Sequence, residues 1–169
     1  MHGGLPVTPT ALSCSCGQVQ FEARGKPIGV ISCFCNDCQR GSRQLEMLPN
    51  AMALLDADGG SPYVLYRKDR FECTNGRELL QDVRLKENSP TRRVFARCCN
   101  SAMYLDFQKG HWISVYRARF KTPPAVQMHI QTRFRPHPET SRSTVPSYRS
   151  FPPLFVVKLL ASRIAMMFS

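Results

Sequence analysis

Cys33-Phe34-Cys35-Asn36-Asp37-Cys38 places three thiols within six residues. Sulfurs one or two residues apart can turn toward a common point without a long loop, and thiolates in such spacing bind Zn²⁺ tetrahedrally. A second pair, Cys14-Ser15-Cys16, lies upstream, and an adjacent pair, Cys98-Cys99, lies far downstream. Seven of the eight cysteines therefore fall in three groups. Disulfides between such close neighbours would close strained rings. A redox reading of Cys35 and Cys38 leaves the thiol of Cys33 superfluous. Metal binding is the reading that uses all three groups.

Working outward, the flanking residues read as short strands. Gln18–Ala23 alternates polar and apolar side chains, the period of a half-buried strand. Ile28–Ser32 leads into the three-cysteine stretch, and Gln39–Glu46 after it reads as short helical or irregular chain. Met52–Leu55 reads as a strand edge and Asp56–Ser61 as a loop. Further strands are expected at Tyr63–Tyr66, Phe71–Asn75 before an Asn-Gly turn, Leu80–Leu85, Arg93–Ala96, Ala102–Phe107, Trp112–Tyr116 and Val126–Ile130. Many short strands at regular spacing make a mainly β fold.

The expected organisation is an unstructured start over 1–12, a zinc-binding β domain over 13–132, a basic linker rich in Pro, Ser and Thr over 133–153, and an apolar helix over 154–169. Residues 133–169 contain no cysteine and are expected to be dispensable for metal binding. The stretch Leu154–Phe168 carries Lys158 and Arg163, so docking on the domain or lying on a membrane surface suits it better than spanning a bilayer.

The formal charge of +11 is uneven: −1 over 1–60, then +6 over 61–120 and +6 over 121–169. Such a balance favours acidic partners or anionic surfaces. Stacking aromatics interleaved with the basic residues are sparse, which disfavours sequence-specific nucleic-acid recognition. A cysteine-rich chain whose first residues carry no basic-then-apolar leader is expected in a reducing, intracellular compartment, the cytoplasm.

Cys14 and Cys16 with Cys98 and Cys99 would close one four-thiolate shell and tie remote strands together, a structural zinc. Cys33, Cys35 and Cys38 supply three ligands and leave a fourth position for a substrate. Alternatively Cys73, His111 or His129 completes that shell and the ion is inert. Three thiolates make a weak Lewis acid, better suited to capturing a soft ligand such as a thiol than to making hydroxide.

These motifs resemble a known family. Cys14-Ser15-Cys16-Gly17-Gln18-Val19-Gln20-Phe21 is similar to the opening C-x-C-G-x-V-x-F/Y of the glutathione-dependent formaldehyde-activating enzyme and centromere protein V family. Cys33–Gln39 resembles its C-H-C-x-x-C-Q segment, and Arg93–Asn100 its closing R-x-F-C-x-x-C-G element. The resemblance implies an Mss4-like fold of short antiparallel strands with two zinc sites, carbon–sulfur lyase activity, and glutathione or its adduct as the thiol compound. It carries Cys14, Cys16 and Cys99 over as structural ligands and Cys33, Cys35 and Cys38 as the second site. Ala96 stands where the family has a closing cysteine, so Cys98 is the expected substitute. Asn100 replaces a glycine, and Phe34 replaces a frequent histidine. Arg40, Arg43 and Arg117 are candidates to hold glutathione carboxylates. The alternative function is a non-enzymatic zinc scaffold that binds an acidic partner or a membrane surface.

Overall fold

The computed structural model describes residues 8–138 and 143–168. Among these residues, ten strands form two sheets. β1 (Thr10–Ser13), β2 (Gln20–Ala23) and β5 (Phe71–Asn75) make a small antiparallel sheet in the order β1-β2-β5. The larger sheet contains β3 (Gly29–Cys33), β4 (Ser61–Arg67), β6 (Leu80–Val83), β7 (Thr91–Ala96), β8 (Ser101–Phe107), β9 (Trp112–Tyr116) and β10 (Met128–Ile130). Its order is β10-β3-β4-β9-β8-β7-β6, antiparallel except where β10 runs parallel to β3. Two α-helices, α1 (Asn36–Glu46) and α2 (Pro153–Met167), complete the architecture.

The centre of the large sheet is buried on both faces, and β4 shows how. All seven of its residues are buried. Successive side chains point to opposite faces. Val64 and Tyr66 accordingly join Val19, Phe21, Met103 and Phe120 in a core between the sheets. Tyr63 and Leu65 join Ile31, Leu45, Phe95 and Phe155 under the helices. The run Tyr63-Val64-Leu65-Tyr66 lacks polar alternation because neither face meets water.

The structure departs from the sequence expectations in several places. A strand begins at Thr10 and buries Leu12, inside the stretch expected to be unstructured; residues 1–7 lie outside the described residues. Met52–Leu55 is not a strand. Its backbone is held instead by Glu46, whose Oε1 accepts from the N–H groups of Leu54 (2.6 Å) and Leu55 (2.9 Å).

The stretch expected as a linker over 133–153 is mostly exposed but touches the domain at several points; residues 139–142 lie outside the described residues. The Phe134 carbonyl accepts from Gln39 Nε2 at 2.9 Å, and the Arg135 guanidinium sits 4.3 Å over the Phe34 ring. Tyr148 N–H donates to the His129 carbonyl at 2.9 Å, extending the edge at β10. Basic and Pro-rich composition does not show such contacts, because the partners come from remote strands.

The helix expected over 154–169 forms as α2, with Pro153 at its first turn, where a missing N–H costs nothing. It docks through Phe155, 3% exposed, and Ser162 Oγ lies 2.7 Å from His111 Nε2. A chain cut after Thr132 would uncover this part of the core. Among the described residues, no helix is long and apolar enough to cross a membrane.

Candidate metal centres

Cys14 and Cys16 lie on the turn between β1 and β2, and Cys98 and Cys99 on the turn between β7 and β8. Gly17, with φ of +79°, gives the first turn its left-handed step, and Asn100 at +53° gives the second the same step. Asn serves where the related motif has Gly because its side chain tolerates this conformation. Here Asn100 Nδ2 also donates to the Pro49 carbonyl at 2.9 Å.

The four sulfurs lie within 4.8 Å of one another. Cys14–Cys16 is 3.5 Å, Cys16–Cys98 is 3.4 Å, Cys14–Cys98 is 3.8 Å and Cys98–Cys99 is 3.9 Å. Bonds of about 2.3 Å around a tetrahedral zinc put its ligand sulfurs about 3.8 Å apart. Both members of the adjacent pair face the centre, so neither Cys98 nor Cys99 stands aside. All eight cysteines are free thiols.

Hydrogen bonds steady this cluster. The Val19 N–H points at Cys14 Sγ at 3.2 Å, and Ser101 Oγ lies 3.0 Å from Cys99 Sγ. Ser101 Oγ also accepts from the Ser15 N–H at 2.9 Å and lies 2.8 Å from Ser15 Oγ. Burial opposes ionisation of Cys99, but hydrogen bonds from Ser101 and from Cys16 outweigh it and bring the thiol down to about 6. Burial and its sulfur neighbours push Cys98 up. Uncompensated, the four thiols cannot all carry charge.

Arg119 adds a second sign that this cluster is anionic. It is 4% exposed, with Nη1 3.4 Å from Ser15 Oγ and Nη2 3.4 Å from Met52 Sδ. Its buried Nε has no partner, and no carboxylate among the described residues pairs with it. A buried guanidinium without a counter-charge is strongly disfavoured. Burial pulls its pKa down, and Cys99 and Cys14 are the groups that push it back up. Four thiolates around a divalent cation carry a net negative charge, which is what Arg119 lacks elsewhere. The donor set, the spacing and the buried cation all fit zinc.

The second cluster is local. β3 ends at Cys33, and α1 begins one residue after Cys35, which caps the helix by accepting the Cys38 N–H at 3.4 Å. The sulfurs of Cys33, Cys35 and Cys38 lie within 4.8 Å of one another. Hydrogen bonds from the Cys33 and Cys38 thiols bring Cys35 down to about 3, helped by the N–H groups of Cys38 and Asp37. Cys33 is pushed up to about 12, chiefly by its contact with Cys35. One thiolate at a helix N-terminus is favourable; three side by side need a cation.

Below this cluster lies Arg93, 1% exposed, donating from Nη2 to the Asp37 carbonyl at 2.7 Å. Its Nε and Nη1 are buried without partners. It fits because residue 41 is glycine: a Cβ there would lie 1.8 Å from Arg93 Nε. Among the described residues neither Arg93 nor Arg119 has a carboxylate partner, and Arg93 meets the three-cysteine segment through the Asp37 carbonyl. The three-thiol stretch pointed to a metal, but nothing in it pointed to Arg93 or Arg119.

The other candidates separate from the clusters. Cys73 Sγ donates to the Asn75 carbonyl at 3.3 Å and joins neither group. His111 is bound to Ser162, and His129 Nδ1 lies 2.7 Å from Arg135 Nη2. Neither histidine completes the three-cysteine shell. Phe34 is fully buried, edge-on to the His129 ring at 5.5 Å. Arg40 and Arg43 are exposed on α1 and line a hollow of about 370 Å³ with Gln44, Met47 and Leu85. Arg117 does not join them. Its Nε donates to the Pro124 carbonyl at 2.6 Å, beside a different hollow of about 280 Å³.

The family model described as "Glutathione-dependent formaldehyde-activating enzyme" matches residues 9–54, a stretch holding Cys14, Cys16, Cys33, Cys35 and Cys38. The chain resembles that family over these residues. No curated protein matches it. A solved crystal structure of a Rhodobacter sphaeroides protein is similar, with 15% identity, a TM-score of 0.49, and coverage of 81% of this chain and 98% of that one.

Proposed function

We propose that both cysteine clusters hold zinc, that the four-cysteine centre is structural, and that the three-cysteine centre binds the sulfur of a small thiol, glutathione or its aldehyde adduct. The observation that carries this is the difference in donor number: four converging sulfurs in one place, three in the other. Four thiolates fill a tetrahedral shell, whereas three leave one position for a ligand. The match of residues 9–54 to the formaldehyde-activating family gives the thiol its chemical class.

Bound at Cys33, Cys35 and Cys38, zinc would favour the thiolate form of an incoming thiol at neutral pH. The chain's own residues supply the rest. Arg93 offsets the charge of the thiolates from below, and Arg40 and Arg43 reach solvent from the helix that Cys35 caps, where they can take glutathione carboxylates. In the reaction, the thiolate sulfur bonds to an aldehyde carbon and a proton passes to the carbonyl oxygen. The reverse breaks the carbon–sulfur bond and releases aldehyde and thiol.

A zinc scaffold without catalysis is the second reading. It is favoured by Phe34, fully buried at the position of the family's frequent histidine, and by the absence of any histidine of the described residues from both clusters. Elemental analysis of protein purified under reducing conditions tests the shared premise: two zincs per chain are expected, and fewer than one sinks both readings. Calorimetry with glutathione then separates them. Binding that disappears in Cys38→Ser supports the thiol site, and no binding to the two-zinc protein leaves the scaffold.

A further inference from the structure

The outward face of α2 is not explained by the metal centres. The helix docks through Phe155 and Leu159, with Ser162 on the same side against His111. At about 100° of rotation per residue, Val157, Leu160, Ala161 and Ile164 fall on the opposite side. Val157, Leu160 and Ile164 are each more than half exposed. Its two charged residues, Lys158 and Arg163, lie about 110° to either side of the middle of that stripe by the same rotation. An apolar stripe faces away from the protein, and a long cation stands at each border.

The charge around the stripe has one sign. Lys158 also lines a hollow of about 480 Å³ between α2 and the domain, with Lys26 and Arg70 on its wall. Lys26, Lys158 and Arg163 form no ion pair with a described residue. Residues 121–169 carry seven Lys/Arg and one Asp/Glu.

We infer that α2 lies on the surface of an anionic bilayer, with Val157, Leu160 and Ile164 entering the acyl boundary and Lys158, Arg163 and Lys26 at the headgroup phosphates. Lysine and arginine at the borders of an apolar stripe can extend their stems along it and keep their charges among the headgroups. A second copy of the chain is a poorer occupant, because each copy carries +11 and the two would repel. Nucleic acid fits the charge but not the stripe, whose aliphatic side chains offer no stacking surface. The helix keeps its docked face on the domain in this arrangement, so the metal centres are untouched.

Vesicle co-sedimentation of the full chain tests it, comparing phosphatidylcholine vesicles with vesicles doped with phosphatidylserine. Binding is expected only to the doped vesicles, falling as salt rises. Lys158→Glu with Arg163→Glu should weaken it by roughly thirtyfold or more. Leu160→Glu with Ile164→Glu should remove it even at low salt. Both pairs are exposed, and an unchanged zinc content will show that the variants are folded. Inorganic phosphate at matched ionic strength should displace nothing. Binding that survives Leu160→Glu/Ile164→Glu would reduce the contact to charge alone and overturn the inference. So would equal binding to both vesicle types, displacement by phosphate, or absence of vesicle binding. A dimer dissolved by the same apolar substitutions, with no vesicle binding, would assign the stripe to a second copy.

Discussion

The two cysteine clusters solve one problem by opposite routes. Cys14 and Cys16 meet Cys98 and Cys99 across more than 80 residues, at two turns belonging to different sheets. Cys33, Cys35 and Cys38 meet within six residues, where a strand runs into a helix. The first arrangement exists only when the two sheets are packed, so a metal bound there stabilises the whole domain. The second needs only its own strand and helix turn, so under the proposed function a metal held there would contribute less to the fold and be left for binding. The contrast teaches that ligand separation along the chain, as much as ligand number, marks a structural centre.

The sharpest way to break this contrast is substitution of one thiol in each cluster. Cys16→Ser should lower the melting midpoint by far the most and leave the protein with no more than one zinc. Cys38→Ser should also lose one zinc yet keep a cooperative transition, its midpoint lower by only a few degrees, on the order of 1 kcal/mol for a domain of this size. Circular dichroism melts with parallel zinc analysis read both. Equal collapse of the two variants would show that the three-cysteine centre is structural as well.

The arginines sharpen the comparison further. Arg119→Met keeps the volume and removes the charge, and zinc at the four-cysteine centre should bind roughly 10–100-fold more weakly, as measured by chelator competition. In chelated protein the order should reverse, with Arg119→Met melting no lower than the parent chain, because an uncompensated buried guanidinium is itself destabilising. A variant less stable in both states would make Arg119 a packing residue.

The smallest effect is expected at the turn holding Cys98 and Cys99. Asn100→Ala should cost about 1 kcal/mol, since alanine resists the positive φ there, while Asn100→Gly should stay within a few tenths. Denaturant titration resolves the difference. Equal costs would mean that the Asn100 bond to the Pro49 carbonyl matters more than backbone conformation.

Much of this was legible in the sequence because it is local chemistry. Closely spaced thiols name their own ligand class, and the alternation in Gln18–Ala23 names a strand. The resemblance at Cys14–Phe21 and Cys33–Gln39 points to the family matched over 9–54. Met52–Leu55 misleads because apolar residues suit a strand, while the bonds that fix it come from the Glu46 side chain. Arg135 shows the same limit: it is held by Phe34, His129 and Asp58, not by its neighbours in the chain.

Spacing and side-chain type by themselves determined that thiols dominate this chain's chemistry, that they fall into separate groups, and that short strands flank them. Only the tertiary structure decided that Cys98 and Cys99 both face the four-sulfur centre, that His111 and His129 stay out of the other, and that a buried arginine stands behind each cluster. Burial is the physical reason. A guanidinium reads in the sequence as a surface charge, and Arg119 becomes a counter-charge only when packing removes water and leaves the thiols of Cys99 and Cys14 as its neighbours.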